Sequence, residues 1–149
     1  MVKSAKAAAL RFLKIRPRSI GELKKKLLIK GFSSAEIEAT VLDLQASGLL
    51  DDRAFTKSWI NYRLARPFGF RRIILELKEK GLDPQMIEQA VALASQGYSP
   101  QAAAAQLAQR RWQRLPAIDV GKKKKRILDF LLRRGFEADV ALAVIRKLR

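Results

Sequence analysis

Three glycines stand in register along this chain. Gly31, Gly81 and Gly135 each follow a lysine or arginine and precede an apolar residue, Phe32, Leu82 and Phe136. They lie 50 and 54 residues apart, and three prolines, Pro17, Pro67 and Pro116, recur at 50 and 49. Self-similarity at such a period is the mark of a repeat architecture. The pattern extends to candidate core positions. Leu23-x3-Leu27-x3-Gly31-Phe32 aligns with Ile73-x3-Leu77-x3-Gly81-Leu82 and with Ile127-x3-Leu131-x3-Gly135-Phe136. Val41, Val91 and Ile145 stand ten residues beyond each glycine. Spacing i, i+4 puts each leading pair on one helix face. Each glycine falls where a helix end favours a left-handed residue, with the next apolar side chain folding back on the last turn.

Each repeat reads as three helices. In the first, Lys6–Ile15 ends before Pro17, and two capping boxes follow: Ser19 to Glu22 opens a helix to Lys30, and Ser33 to Glu36 opens one to about Ala46. In the second, Asp51 or Asp52 caps a helix to Arg66, Phe70–Lys80 is the next, and Asp83-Pro84 starts the third. In the third, Ser99-Pro100 starts a helix to about Arg114, then come Lys122–Arg134 and Ala138–Leu148. No stretch alternates with period two over a strand length. The expected fold is all-α, nine helices in tandem repeats over residues 1–47, 48–97 and 98–149, in an elongated, curved array. The third repeat is irregular, with 19 residues from proline to glycine against 14 in the other two.

Composition narrows the chemistry. Among 149 residues, 31 lysines and arginines face 14 acids, a formal charge of +17 that suits a polyanionic partner. The apolar fraction of 48% is too high for a disordered basic tail. Cysteine and histidine are absent, which removes disulfides, thiolate nucleophiles, Cys/His zinc sites and imidazole triads. The start, Met1 to Lys6, has charge without the apolar run of a secretory signal, and no run approaches a membrane span. A cytoplasmic monomer without cofactor is the expectation.

No active site emerges. Asp51 and Asp52 are adjacent, so their carboxylates diverge, and capping is preferred to a magnesium site. Glu76 and Glu79 share a face without a third ligand and read as solvated surface. Gly69 and Gly97 stand alone rather than in a phosphate loop, Gly69 as a loop residue less sensitive to substitution than Gly81. The stripe Phe55, Trp59, Tyr62 is preferred as core over base-stacking surface, with Arg53, Lys57 and Asn61 on another face. Trp112 lies among Arg110, Arg111 and Arg114 and reads as a stacking platform. Lys122, Lys123, Lys124, Lys125 and Arg126 form the densest cationic cluster, with Arg133 on the same arc. Four adjacent lysines repel one another and favour an anion-binding face. Lys24, Lys25 and Lys26 form a lesser cluster, in which Glu22 is expected to pair with Lys26. Arg71 and Arg72 complete the candidate binding residues. Residues 1–50 carry +6 (ten cations, four acids), 51–100 carry +2, and 101–149 carry +9.

The run from Gly48 to Trp59, Gly-Leu-Leu-Asp-Asp-Arg-Ala-Phe-Thr-Lys-Ser-Trp, resembles the Gly-Tyr/Leu-Ile/Leu-Asp-Asp-x-x-Phe-Ala-x-x-aromatic motif of the RecX family of bacterial regulatory proteins. Arg18-Ser19-x-x-Glu22-Leu23-x-x-Lys26-Leu27 and Arg66-x-x-Gly69-x-x-Arg72-Ile73-x-x-Glu76-Leu77-x-x-Lys80-Gly81 are similar to its preceding and following motifs. Phe130-Leu131-x-x-Arg134-Gly135-Phe136 is similar to its closing one. Phe68-Gly69-Phe70 departs from the family's Gly-Tyr/Phe-Gly-Pro turn. The resemblance implies a non-enzymatic modulator of the RecA recombinase in recombination and DNA repair. Such proteins bind the RecA–single-stranded DNA filament, generally limiting its assembly, ATP hydrolysis and strand exchange. Double-stranded DNA is a second candidate ligand. The competing class is a stand-alone nucleic-acid-binding protein of helix-turn-helix-like units.

A compact globule of this length has a radius of gyration near ~15 Å. Small-angle scattering is expected to give a value several ångströms larger; the globular figure would refute the elongated array.

Overall fold

A computed structural model of the protein describes residues 4–149. The sequence reading of the extreme N-terminus rests partly on residues 1–3, outside the described residues. Among the described residues there are nine helices and no strand: α1 (Ala5–Ile15), α2 (Ile20–Ile29), α3 (Ser34–Ala46), α4 (Asp52–Ala65), α5 (Phe70–Glu79), α6 (Pro84–Ser95), α7 (Pro100–Arg114), α8 (Val120–Arg133) and α9 (Ala138–Lys147). None of them is long and apolar enough to cross a membrane.

The repeat register holds in the core. Leu23 and Leu27, Ile73 and Leu77, and Ile127 and Leu131 are all fully buried. Each such side chain contributes about 1.5–3 kcal/mol by leaving water. Val41 and Ile145 are buried as well, whereas Val91 is half-buried. The three register glycines have φ of +92°, +77° and +92°. After each, the amides of Phe32, Leu82 and Phe136 donate to the carbonyls of Leu27, Leu77 and Leu131, the long bond of a Schellman cap. Gly48 closes α3 in the same way, with Leu49 N donating to Leu44 O, a helix stop not read from the sequence.

Helix starts follow the polar residues before them. Ser19 and Ser33 form reciprocal capping boxes with Glu22 and Glu36, and the Ser99 hydroxyl accepts from Ala102 N ahead of Pro100. Asp51 is the cap of α4: one carboxylate oxygen accepts from the amides of Arg53 and Ala54, at 3.0 and 3.2 Å. α8 begins earlier than the expected Lys122, because Asp119 caps it by accepting from Lys122 N.

The chain divides into two compact units. The first runs to Trp59 and includes Leu77–Ala90; the second comprises Ile60–Glu76 and Val91–Arg149. In the first, α1, α2 and α3 close over Ala8, Ala9, Leu23, Leu27, Ile37, Val41, Leu44 and Leu50. The start of α2 then meets the end of α5. The Ser19 hydroxyl donates to Lys80 O at 2.7 Å, and a Cβ on Gly21 would lie 2.8 Å from that carbonyl. Ile20 N donates to the Asp52 carboxylate at 2.8 Å. Burial pushes the Asp52 carboxyl up, against the Ile20 hydrogen bond that favours its ionised form.

Glu22 ties this junction together. Its carboxylate pairs with Arg16 at 2.6 Å and Lys80 at 3.3 Å and caps Ser19 N. The expected Glu22–Lys26 pair does not form, because the capping box turns Glu22 back toward the helix start. Burial alone would raise its pKa, but the hydrogen bonds from Arg16 and Ser19 and the charges of Lys80 and Arg16 hold it at about 2.

In the second unit α7, α8 and α9 pack around Ala104, Ala108, Ile127, Leu131, Phe136, Ala141, Val144 and Ile145. Here the start of α5 meets the end of α8. Gly69 N donates to Arg134 O at 2.7 Å, and a Cβ on Gly69 would overlap the Gly135 carbonyl and the Phe136 amide. The lower sensitivity expected at Gly69 depends on its being only a loop residue, and that premise fails: Gly69 lies against backbone, which cannot rotate away.

Two predictions arise from these junctions. Gly81→Val forces a β-branched residue into the left-handed region and is expected to cost about 1–2 kcal/mol. Gly69→Val is expected to cost more, roughly 3 kcal/mol or beyond, read as a larger drop in urea midpoint. The Glu22 carboxyl, held below its ordinary value of 4.5, contributes stability that is fully present above that value and lost as pH falls toward about 2. Glu22→Gln keeps the capping geometry and removes the charge. It is expected to cost on the order of 1–2 kcal/mol at pH 7, after allowance for solvent around Arg16, and to flatten the stability–pH curve in that acid window.

Candidate nucleic-acid interface

The lysine run occupies the first turns of α8, the positive end of the helix dipole. Lysines there are disfavoured, and Asp119 at the cap is the acid placed to offset them. Lys122, Lys125 and Arg126 are exposed, Lys124 is half-buried, and Arg133 is exposed as the last residue of the helix. Lys123 turns inward, its ammonium 4.1 Å from the centre of the Trp112 ring. Trp112 itself is half-buried against the core of the second unit. Because Lys123 covers the ring, this tryptophan offers charge rather than an open stacking face, unlike the platform the sequence predicts.

Arg110, Arg111 and Arg114 are exposed on the last turns of α7, where cations complement the dipole. In the first unit, Lys24 pairs with Glu38 at 2.8 Å and Lys26 lies over Phe12, 5.3 Å from its centre, leaving Lys25 exposed. Arg53 and Lys57 are exposed on α4, and Arg71 on α5.

The aromatic stripe of α4 divides. Phe55 is buried and stacks on half-buried Trp59 at 6.1 Å, with Lys80 4.3 Å from the Trp59 centre. Tyr62 is 48% exposed with the Arg66 guanidinium 4.9 Å above its ring, so the core reading holds for Phe55 and not for Tyr62.

The second unit also contains a cluster that the sequence reading did not assemble. Arg63, Arg72 and Arg134 place their guanidiniums 4.5, 5.0 and 4.4 Å from the centre of Phe68. Arg111 and Arg134 lie 4.3 and 5.2 Å from the centre of Phe130. Arg72 donates to Arg133 O and Arg134 to Arg66 O, so two of these side chains also tie helix ends together. Glu76 pairs with both Arg63, at 2.7 Å, and Arg72, at 3.3 Å. Its side chain is only 14% exposed, which replaces the expected solvated role with that of an ion-pair hub. Burial, with the neighbouring charges of Arg72, Arg111 and Arg63, lowers the Arg134 pKa. The motifs around Arg66–Arg72 and Phe130–Phe136 held the signal. Helical periodicity did not join them, since they lie some sixty residues apart.

Comparison with known proteins decides the family. The RecX first, second and third three-helix domains match residues 5–44, 51–91 and 99–145. The chain belongs to the RecX family. It is 37% identical over 144 residues to the regulatory protein RecX of Leptothrix cholodnii, covering 96% of this chain and 88% of the relative. To the regulatory protein RecX of Pelodictyon phaeoclathratiforme it is 33% identical over 141 residues, covering 94% and 86%. In structure it is similar to RecX from Lactobacillus salivarius, with a TM-score of 0.78 at 24% identity over 97% of this chain and 94% of that one. This last likeness concerns the fold alone. The chain is thus an all-α member of a family of regulatory proteins built from three tandem three-helix domains.

Proposed function

We propose that this protein binds the RecA–single-stranded DNA filament and limits its assembly, ATP hydrolysis and strand exchange. The match of all three RecX domains, end to end, carries the reading. The cationic surfaces support the nucleic-acid part of it. Lys122–Lys125 and Arg126, with Arg110, Arg111, Arg114 and Arg133, would meet phosphates in the second unit. In the first unit, Lys25, with Lys24 and Lys26 partly engaged, would add a weaker anionic contact. Arg53, Lys57 and Arg71 are the remaining candidates. The repeat boundaries at residues 47/48 and 97/98 belong to the same proposal. A stand-alone nucleic-acid binder is the alternative, and it would bind naked DNA as well as it binds the filament.

The test is RecA ATP hydrolysis on single-stranded DNA as this protein is added, with inhibition expected. Replacing Lys122, Lys123, Lys124 and Lys125 by glutamine removes four charges from a helix that keeps its apolar face. Affinity for single strands is expected to fall, and the log–log salt slope to flatten by up to ~3 units, at about 0.7 for each lost phosphate contact. Inhibition that persists while DNA affinity drops would place the inhibitory surface on a protein–protein contact. An unchanged slope would make the run an ordinary solvated face.

A further inference from the structure

We propose that Arg72, Arg111 and Arg134, seated on Phe68 and Phe130, form a binding site for a phosphate oxyanion. The inference rests on the nucleic-acid reading above for its preferred source, the backbone of a single strand. A free phosphate anion has the same chemistry, and the test separates the two.

Three observations converge on the cluster. The first is its charge: four guanidiniums share one carboxylate, Glu76, which Arg63 and Arg72 already engage. The second is the supply of donors. A guanidinium has five N–H groups. Arg72 uses its Nε and Nη1, and Arg134 uses Nη1 on Arg66 O. The Arg111 side chain donates no hydrogen bond to any described residue; its guanidinium rests 4.3 Å from the Phe130 centre. The third is preorganisation. Rings beneath the guanidiniums limit their freedom and leave N–H edges for the fork-like recognition that a phosphate accepts.

A purely structural role explains part of this arrangement. Arg72 and Arg134 hold the carbonyls of Arg133 and Arg66, and the partial negative charge at those helix ends offsets some of the excess. It leaves Arg111 with the Phe130 ring as its one partner among these contacts, an exposed cation held beside other cations without a carbonyl or carboxylate to bind. Burial first, and then the charges of Arg72, Arg111 and Arg63, lower the Arg134 pKa, and an incoming oxyanion would relieve the repulsive part.

The experiment uses the full chain in two arms. Fluorescence anisotropy measures binding of a labelled oligothymidylate across a salt series. Thermal melting measures stabilisation by pyrophosphate against chloride at equal ionic strength. Arg111→Gln touches no hydrogen bond of the fold. It is expected to weaken oligonucleotide binding about tenfold and to lower the salt slope by about 0.7. Arg134→Lys keeps the charge and loses the planar fork, so affinity is expected to fall with the slope unchanged. Lys14→Gln, on α1, controls for net charge and is expected to match the wild type. If Arg134→Lys does not fold by circular dichroism, Arg111→Gln decides alone.

Loss of oligonucleotide affinity in Arg111→Gln assigns the site to strand phosphates. Loss of pyrophosphate stabilisation alone assigns it to a free phosphate anion. An Arg111→Gln variant equal to wild type in both arms overturns the proposal. A wild type that ignores the oligonucleotide removes nucleic acid from the functional reading, and the pyrophosphate arm still decides the site.

Discussion

Helix ends that meet backbone to backbone are the constraint on which much of this structure depends. Within the first unit the start of α2 abuts the end of α5, and within the second the start of α5 abuts the end of α8. In both, a positive helix N-terminus faces a negative C-terminus, and a donor on one side reaches a carbonyl on the other: Ser19 to Lys80, Gly69 to Arg134. Such closeness leaves no room for a Cβ. That explains why glycines stand on the approaching faces, at Gly21 and Gly69, as well as at the helix stops, where Gly81 and Gly135 are needed for their positive φ. The middle helix of the second repeat therefore serves both units, its end in one and its start in the other.

The same arrangement explains what could be read from sequence and what could not. Local rules of one helix were legible: the capping boxes at Ser19 and Ser33, the proline after Ser99, and the glycine stops at Gly31, Gly81 and Gly135. Each depends on residues within about five positions, so the signal is concentrated. The buried pairs from Leu23 and Leu27 to Ile127 and Leu131 were legible because the same arrangement recurs three times. Contacts between repeats were not. Gly69 reads as an ordinary loop glycine until Gly135 is placed against it. Glu22 reads as a partner for Lys26 until Lys80, nearly sixty residues on, comes within 3.3 Å. Periodicity reports faces of one helix and is silent on which helix end meets which.

Charge was legible in amount and not in disposition. The first unit pairs four of its cations with three acids, Lys6 with Asp43, Lys24 with Glu38, and Arg16 and Lys80 with Glu22. The second unit relies on Glu76 alone among the ion pairs of its described residues. Its other cations sit on rings, on helix-end carbonyls or in solvent. The counted excess at the C-terminal third is therefore an excess of unpaired positive charge as well, which matters for an anionic partner.

That disposition would couple folding to the proposed binding in an uneven way. Arg72 and Arg134 are both fasteners of helix ends and members of a cationic cluster, so their loss disturbs the junction along with the field. The lysines of α8 carry charge with little structural duty, apart from Lys123 over Trp112. Two kinds of cation thus share one unit: arginines locked on phenyl rings, whose positions the fold dictates, and lysines on an exposed helix start, whose positions it leaves free. A flexible lysine can follow a phosphate anywhere along a strand, whereas a stacked guanidinium can accept one only where it stands. Register along a polyanion is therefore a property the arginines can supply and the lysines cannot, while the lysines supply long-range attraction that falls with salt.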